Sequence, residues 1–116
     1  MKRVAPVLAV GVALALAAGA RVAAAQAHTG EAVYRQHCKT CHGVTGTPTA
    51  RMVGLYPKLK ALSDSALMAG LSVDAIVDLI KKGRGDMKPF GEKLTADEIT
   101  AVAQYVRTLP AVASKP

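Results

Sequence analysis

Cys38-Lys39-Thr40-Cys41-His42 sets two thiols three positions apart and an imidazole directly after the second. That spacing is the signature for covalent attachment of a haem. On a helix, Cys38 and Cys41 fall one turn apart on one face, because neighbours at i and i+3 lie together. Two thioether bonds can then reach the two vinyl groups on one edge of a porphyrin. His42 is placed under the ring, where its Nε2 can bind iron. The chemistry implied is one-electron transfer, with the protein setting potential and access.

Other uses of the same residues are weaker. A disulfide or a thioredoxin-like dithiol shares the spacing, but the latter needs a strand leading in and a parallel sheet behind. Strand pattern is almost absent from this chain. A zinc site could draw on His37, Cys38, Cys41 and His42. Structural zinc usually takes a second ligand pair from a distant segment, and the chain has only 2 cysteines.

An iron held by His42 has a second face. Met52, Met68, Met87, His28 and His37 are the candidates to fill it, the alternative being that nothing does. His37 precedes Cys38 on the attachment helix and stays on the wrong side of the ring, as a surface residue. His28 lies near a new N-terminus, where disorder is the default. Met68 sits in an apolar helical run with Leu67 and Leu71 and reads as core. Met52 follows Arg51 in an irregular loop and is the second choice. Met87 lies in Gly83-Arg84-Gly85-Asp86-Met87-Lys88-Pro89-Phe90-Gly91, between two helices. Glycines let the backbone approach a ring edge, Pro89 bars a helix there, and a loop thioether is a poor use of Met unless it binds something. Met87 is the expected sixth ligand.

The elements that must position these groups read as helices and loops, an all-α chain. A first helix is expected from near Thr29, an N-cap with Glu31 in the first turn, to Cys41. Residues 43–62, with Gly43, Gly46, Pro48, Gly54 and Pro57, read as loop. A short helix is expected over 63–69, closed by Gly70. Ser72 caps a helix over 73–82, where Val73, Ile76, Val77 and Ile80 recur at helical spacing. Lys81 and Lys82 suit its C-terminal end, and Gly83 stops it. Thr95-Ala96-Asp97-Glu98 is a capping box. It opens a last helix that runs to Leu109 and is ended by Pro110, leaving 111–116 as a frayed tail.

The N-terminus bears on compartment. Met1-Lys2-Arg3 is a basic start, and every residue from Val4 to Ala20 is apolar, Gly or Pro. Ala23-Ala24-Ala25 and Ala25-Gln26-Ala27 both offer a signal-peptidase pattern. Residues 1–27 are therefore expected to be a cleaved signal peptide, cut after Ala25 or Ala27. The alternative is an uncleaved anchor, although the stretch falls short of the ~20 residues of a span. Either way residues 28–116 form one exported domain, expected in the periplasm. Loss of Lys2, Arg3 and Arg21 lowers the net charge from +7 to +4. A domain so small, with no Trp, 3 Tyr and 1 Phe, is marginal on its own core. A porphyrin would supply the apolar surface it lacks, and the haem-free chain is expected to be poorly ordered.

From Gly30 to about Leu109 the chain resembles the class I c-type cytochromes, in particular the small bacterial monohaem forms. The likeness rests on Cys38-Lys39-Thr40-Cys41-His42-Gly43, on Met87-Lys88-Pro89-Phe90-Gly91 and on Tyr105-Val106-Arg107-Thr108-Leu109. Many relatives have Met-Pro-Pro where this chain has Met-Lys-Pro. The resemblance implies the cytochrome c fold, three to five helices around one covalent haem c, with first and last helices crossing where Gly30 and Tyr34 meet Tyr105. It also implies that Pro57-Lys58-Leu59 supplies a proline carbonyl to the Nδ1 proton of His42 and a leucine to the ring. Such a hydrogen bond fixes the imidazole and raises its basicity.

With haem granted, a methionine on the iron blocks the open position catalysis needs, so an electron-transfer protein is expected rather than an enzyme. It is either a free shuttle or an electron-accepting subunit of a periplasmic dehydrogenase or oxidase. Lys39, Lys81, Lys82, Arg84, Lys88 and Lys93 gather around the Met87 loop, with only Asp86 and Glu92 interspersed. The expected partner is a periplasmic or membrane-bound redox protein with an acidic docking surface, met by a monomer in transient complexes. Export excludes nucleic acid.

Overall fold

The computed structural model describes residues 2–6 and 29–116; most of the expected signal peptide, and His28, lie outside the described residues. Helix α1 spans Gly30–His37. Thr29 Oγ1 accepts from the Ala32 N–H at 3.2 Å, and Glu31 pairs with Arg35 at 2.9 Å on the exposed face. The helix does not run on to Cys41. Cys38 closes it, donating its N–H to the Tyr34 carbonyl at 2.8 Å, and opens a one-turn helix α2, Lys39–His42.

Residues 43–62 are not loop throughout. Thr49 Oγ1 accepts from the Met52 N–H at 3.3 Å and nucleates α3, Ala50–Leu55. Gly54 falls in its last turn, so it does not break the helix. No residue of α3 is buried, and hence no amphipathic stripe announces it. Helix α4, Ser65–Ala69, starts two residues later than expected because the cap is Asp64, whose Oδ1 accepts from the Ala66 and Leu67 N–H groups at 2.8 and 3.2 Å. Helix α5 is Val73–Lys82, as its periodicity predicts, with Ser72 Oγ accepting from Ala75 N–H at 3.1 Å. Gly83 ends it at φ +69°, a conformation that L-residues with a Cβ rarely adopt.

Helix α6, Ala96–Val106, opens on the complete capping box: Thr95 Oγ1 accepts from Glu98 N–H at 3.2 Å, and Glu98 Oε2 from Thr95 N–H at 2.8 Å. It stops short of Leu109. Pro110 does not end a helix but lies in the first turn of a further one, α7, Leu109–Ala113, where its missing N–H would have had no partner anyway. Part of the expected tail is thus helical. Seven helical segments result among the described residues, more than three to five, because α1 and α2 are separated at Cys38 and α3 and α7 were unforeseen. The all-α reading holds, with one isolated bridge between Arg84 and Met87 as the only β-pairing described.

The core forms where α1 and α5 pack on α6. Tyr34, Ile99, Val102 and Leu109 are its largest fully buried side chains; each such apolar residue contributes about 1.5–3 kcal/mol by leaving water. Gly30 lets α1 cross α6 closely: a Cβ there would collide with the Ala101 carbonyl and sit 2.9 Å from Tyr105 Cβ. Beside that crossing the Tyr34 and Tyr105 rings are 5.4 Å apart and tilted by 55°. The expected meeting of Gly30, Tyr34 and Tyr105 is what the chain builds.

Candidate functional site

The two thiols sit where α1 gives way to α2. Both are unjoined and half-buried. Burial, reinforced by the charge of Cys41, pushes the Cys38 thiol up to about 11. A thiol so protonated is the opposite of the low-pKa thiolate a dithiol oxidoreductase needs. Zinc fares no better: among the described residues no three His, Cys, Asp or Glu side chains converge.

His42 follows on the last residue of α2. Its Nδ1 is buried without a hydrogen-bond partner, the one buried side-chain polar atom in that condition among the described residues. Burial lowers its pKa, which favours the neutral, metal-binding form; the Lys60 backbone acts in the opposite sense without closing a hydrogen bond on Nδ1. Pro57 was the expected acceptor. Pro57 is exposed and Leu59 is half-buried.

The methionines separate by burial. Met68 is core, 4% exposed. Met52 is half-buried on α3. Met87 is half-buried and packs against the same core as Cys38. Its backbone is held by a tight turn: Arg84 and Met87 exchange N–H···O bonds of 3.0 Å each way, with Gly85 at φ +57° between them. Beyond it, Phe90 N–H donates to the Ile80 carbonyl at 2.9 Å and Gly91 N–H to that of Lys81 at 3.2 Å, so the loop is moored to the end of α5. His37 is less peripheral than expected: it is half-buried, edge-on to Phe90 with ring centroids 6.0 Å apart.

One residue missed as a site component is Tyr34. Its side chain, 0% exposed, donates from the hydroxyl to the Gly43 carbonyl at 2.7 Å, immediately past His42. No sequence signal marks a bond across nine residues. Around the loop, Lys81, Lys88 and Lys93 line an open groove of about 500 Å³ with Pro89, Gly91 and Glu92. Lys82 is not among them, being paired to Asp78 at 2.8 Å.

These residues fit one covalently held porphyrin. The donor set is two thiols and a half-buried imidazole in attachment order, and a thioether shares the core that Cys38 packs on. The stretch after His42 also presents apolar surface, with Val44 and Leu55 each 59% exposed and Val53 44%.

Residues 25–106 match the family described as cytochrome c oxidase, cbb3-type, subunit III. Cytochrome c6 of Chlorolobion braunii is 34% identical over 77 residues, 66% of this chain and 83% of that protein. Among solved structures, the KustC0563 c-type cytochrome superposes with a TM-score of 0.63 at 40% identity, covering 70% of this chain and 96% of its own. Cytochrome c6C from Synechococcus sp. PCC 7002 does so with a TM-score of 0.51 at 30% identity, over 68% of this chain and 90% of that one.

Proposed function

The chain belongs to the class I c-type cytochromes, and from that premise we infer a periplasmic carrier that passes one electron at a time. Its cofactor is one covalently bound haem c, and it is an electron-transfer protein rather than an enzyme. Cys38 and Cys41 form the thioether bonds, His42 and Met87 are the axial ligands, and Pro57 and Leu59 belong to the haem pocket. The observation that carries this assignment is the placement of His42: a half-buried imidazole whose pKa burial lowers, on the last residue of the short helix that also carries Cys41. When bound, the haem supplies the ferric–ferrous couple, with imidazole and thioether ligation raising its potential above that of two imidazoles.

The protein's part is to hold both ligands through turnover and to keep water from the iron. Residues 1–27 are its export leader and 28–116 its single domain. No helix among the described residues is long and apolar enough to cross a membrane. The partner is a periplasmic or membrane-bound redox protein that presents acidic groups to the lysines beside the Met87 loop. One observation favours a second reading, a haem subunit of an oxidase or dehydrogenase: the matching family is described by an oxidase subunit.

The test is expression in a strain competent for haem attachment. The exported product should carry haem that survives a denaturing gel, and Cys38→Ser with Cys41→Ser should abolish both the stain and accumulation of folded protein. An exported wild-type chain without covalent haem overturns the reading. Recovery only in a stable complex with a larger enzyme would favour the subunit over the shuttle.

A further inference from the structure

We propose that the Tyr34 hydroxyl is a positioning group for the axial imidazole, clamping the attachment segment so that His42 is held in one orientation; the proposal rests on His42 as haem ligand. Tyr34 touches the segment at both ends. Its carbonyl takes the Cys38 N–H at 2.8 Å, and its hydroxyl, on the far side of the ring, reaches the Gly43 carbonyl at 2.7 Å. The five residues that would bind the porphyrin therefore lie between two anchors on one side chain and its own backbone. The first anchor is ordinary helical bonding. The second is not, for it ties α1 to the residue at which the chain leaves α2.

Three further observations make that tie effective. Tyr34 is fully buried, and burial holds its phenol far above the usual tyrosine range, so it stays a neutral donor. Its ring cannot swing away, because Tyr105 packs on it where α1 crosses α6. The acceptor is also constrained: Gly43 sits at φ +81°, its N–H bonded to the Lys39 carbonyl at 2.8 Å, and a Cβ there would collide with the Thr47 carbonyl. Fixing the Gly43 peptide fixes the backbone that carries His42.

The test is Tyr34→Phe in the holoprotein, beside Tyr105→Phe, whose hydroxyl makes no hydrogen bond among the described residues. Two readouts separate positioning from stability. Amide hydrogen exchange at His42 and Gly43 should quicken about tenfold in Tyr34→Phe, the order expected for one hydrogen bond, while α6 amides such as Val102 and Ala103 change less. The haem-methyl hyperfine shifts of the ferric protein, which follow the plane of the axial imidazole, should redistribute in Tyr34→Phe and not in Tyr105→Phe. Uniform acceleration across α6 and the motif, or unchanged methyl shifts, overturns the proposal. Should Tyr34→Phe not accumulate, the wild-type hydroxyl proton decides: slow exchange with solvent supports the clamp, and rapid exchange overturns it. A wild-type spectrum without a histidine-ligated haem would instead sink the functional reading itself.

Discussion

At the scale of single residues, ligand choice is a matter of what the backbone does around a side chain. Met68 is spent on the core, and Met52 rides on a short helix with no buried residue. Met87 alone is presented by a turn whose two ends are bonded to each other and whose following residues are bonded to α5. A thioether held this way loses little freedom when it binds a metal. Met87→Ala should therefore abolish the weak far-red sulfur-to-iron band of the ferric protein and lower its potential, whereas Met52→Ala should keep both. The reverse pattern in the absorption spectra would transfer the ligand role to Met52. The candidates themselves were legible from the chain. The hairpin that distinguishes Met87 showed only as glycines, because Gly83 and Gly85 betray freedom but not the conformation they take.

At the scale of elements, the crossing of α1 and α6 sets where the attachment segment lies. Gly30 is its contact point, and nothing larger fits without moving the Ala101 carbonyl or Tyr105. Gly30→Ala should cost about 1–3 kcal/mol, as overpacking generally does, and each kcal/mol lowers Tm by about 4–8 °C in a domain of this size. Gly54→Ala is the matched control. It lies in α3 with open space around its Cα, so alanine there should be neutral or slightly stabilising. Thermal melts followed by helical circular dichroism compare the two; equal melting points would mean the helices do not cross at Gly30. The crossing pair was anticipated by likeness to a family. Helix α3 was not, since its sole local signal is the Thr49 cap, and glycine and proline on either side speak for loop.

At the scale of the whole molecule, the proposed docking rests on charge. Of the basic residues around the Met87 loop, Lys81, Lys88 and Lys93 face one groove; Lys93 also lies over the Phe90 ring, 5.8 Å from its centroid. Lys82 is paired to Asp78, so the proposed docking should depend on it less than on Lys81 and Lys88. Steering by such a cluster raises association rates and fades as the Debye length shrinks to about 10 Å at 0.1 M salt. Electron-transfer rates with the physiological partner should fall by about tenfold from low to physiological salt. Lys81→Glu with Lys88→Glu should slow them at low salt, and Lys82→Gln should matter less. Stopped-flow rates indifferent to salt and to the double variant would mean that docking is apolar.

The chain by itself determined whatever depends on neighbours within about four residues: the attachment motif, the caps at Thr29, Ser72 and Thr95, and the apolar stripe of α5. Hydrogen bonds and side-chain faces at that range are properties of local order, and the order of residues is the sequence. Only the tertiary structure decided the rest. The Tyr34 hydroxyl meets Gly43 because a helix breaks at Cys38 and turns back. Pro110 begins a helix because Leu109 is anchored at 0% exposure, its Cβ 3.1 Å from where a side chain on Gly46 would stand. Such contacts join residues far apart in the chain, and pairings of that kind leave no period, cap or spacing to read.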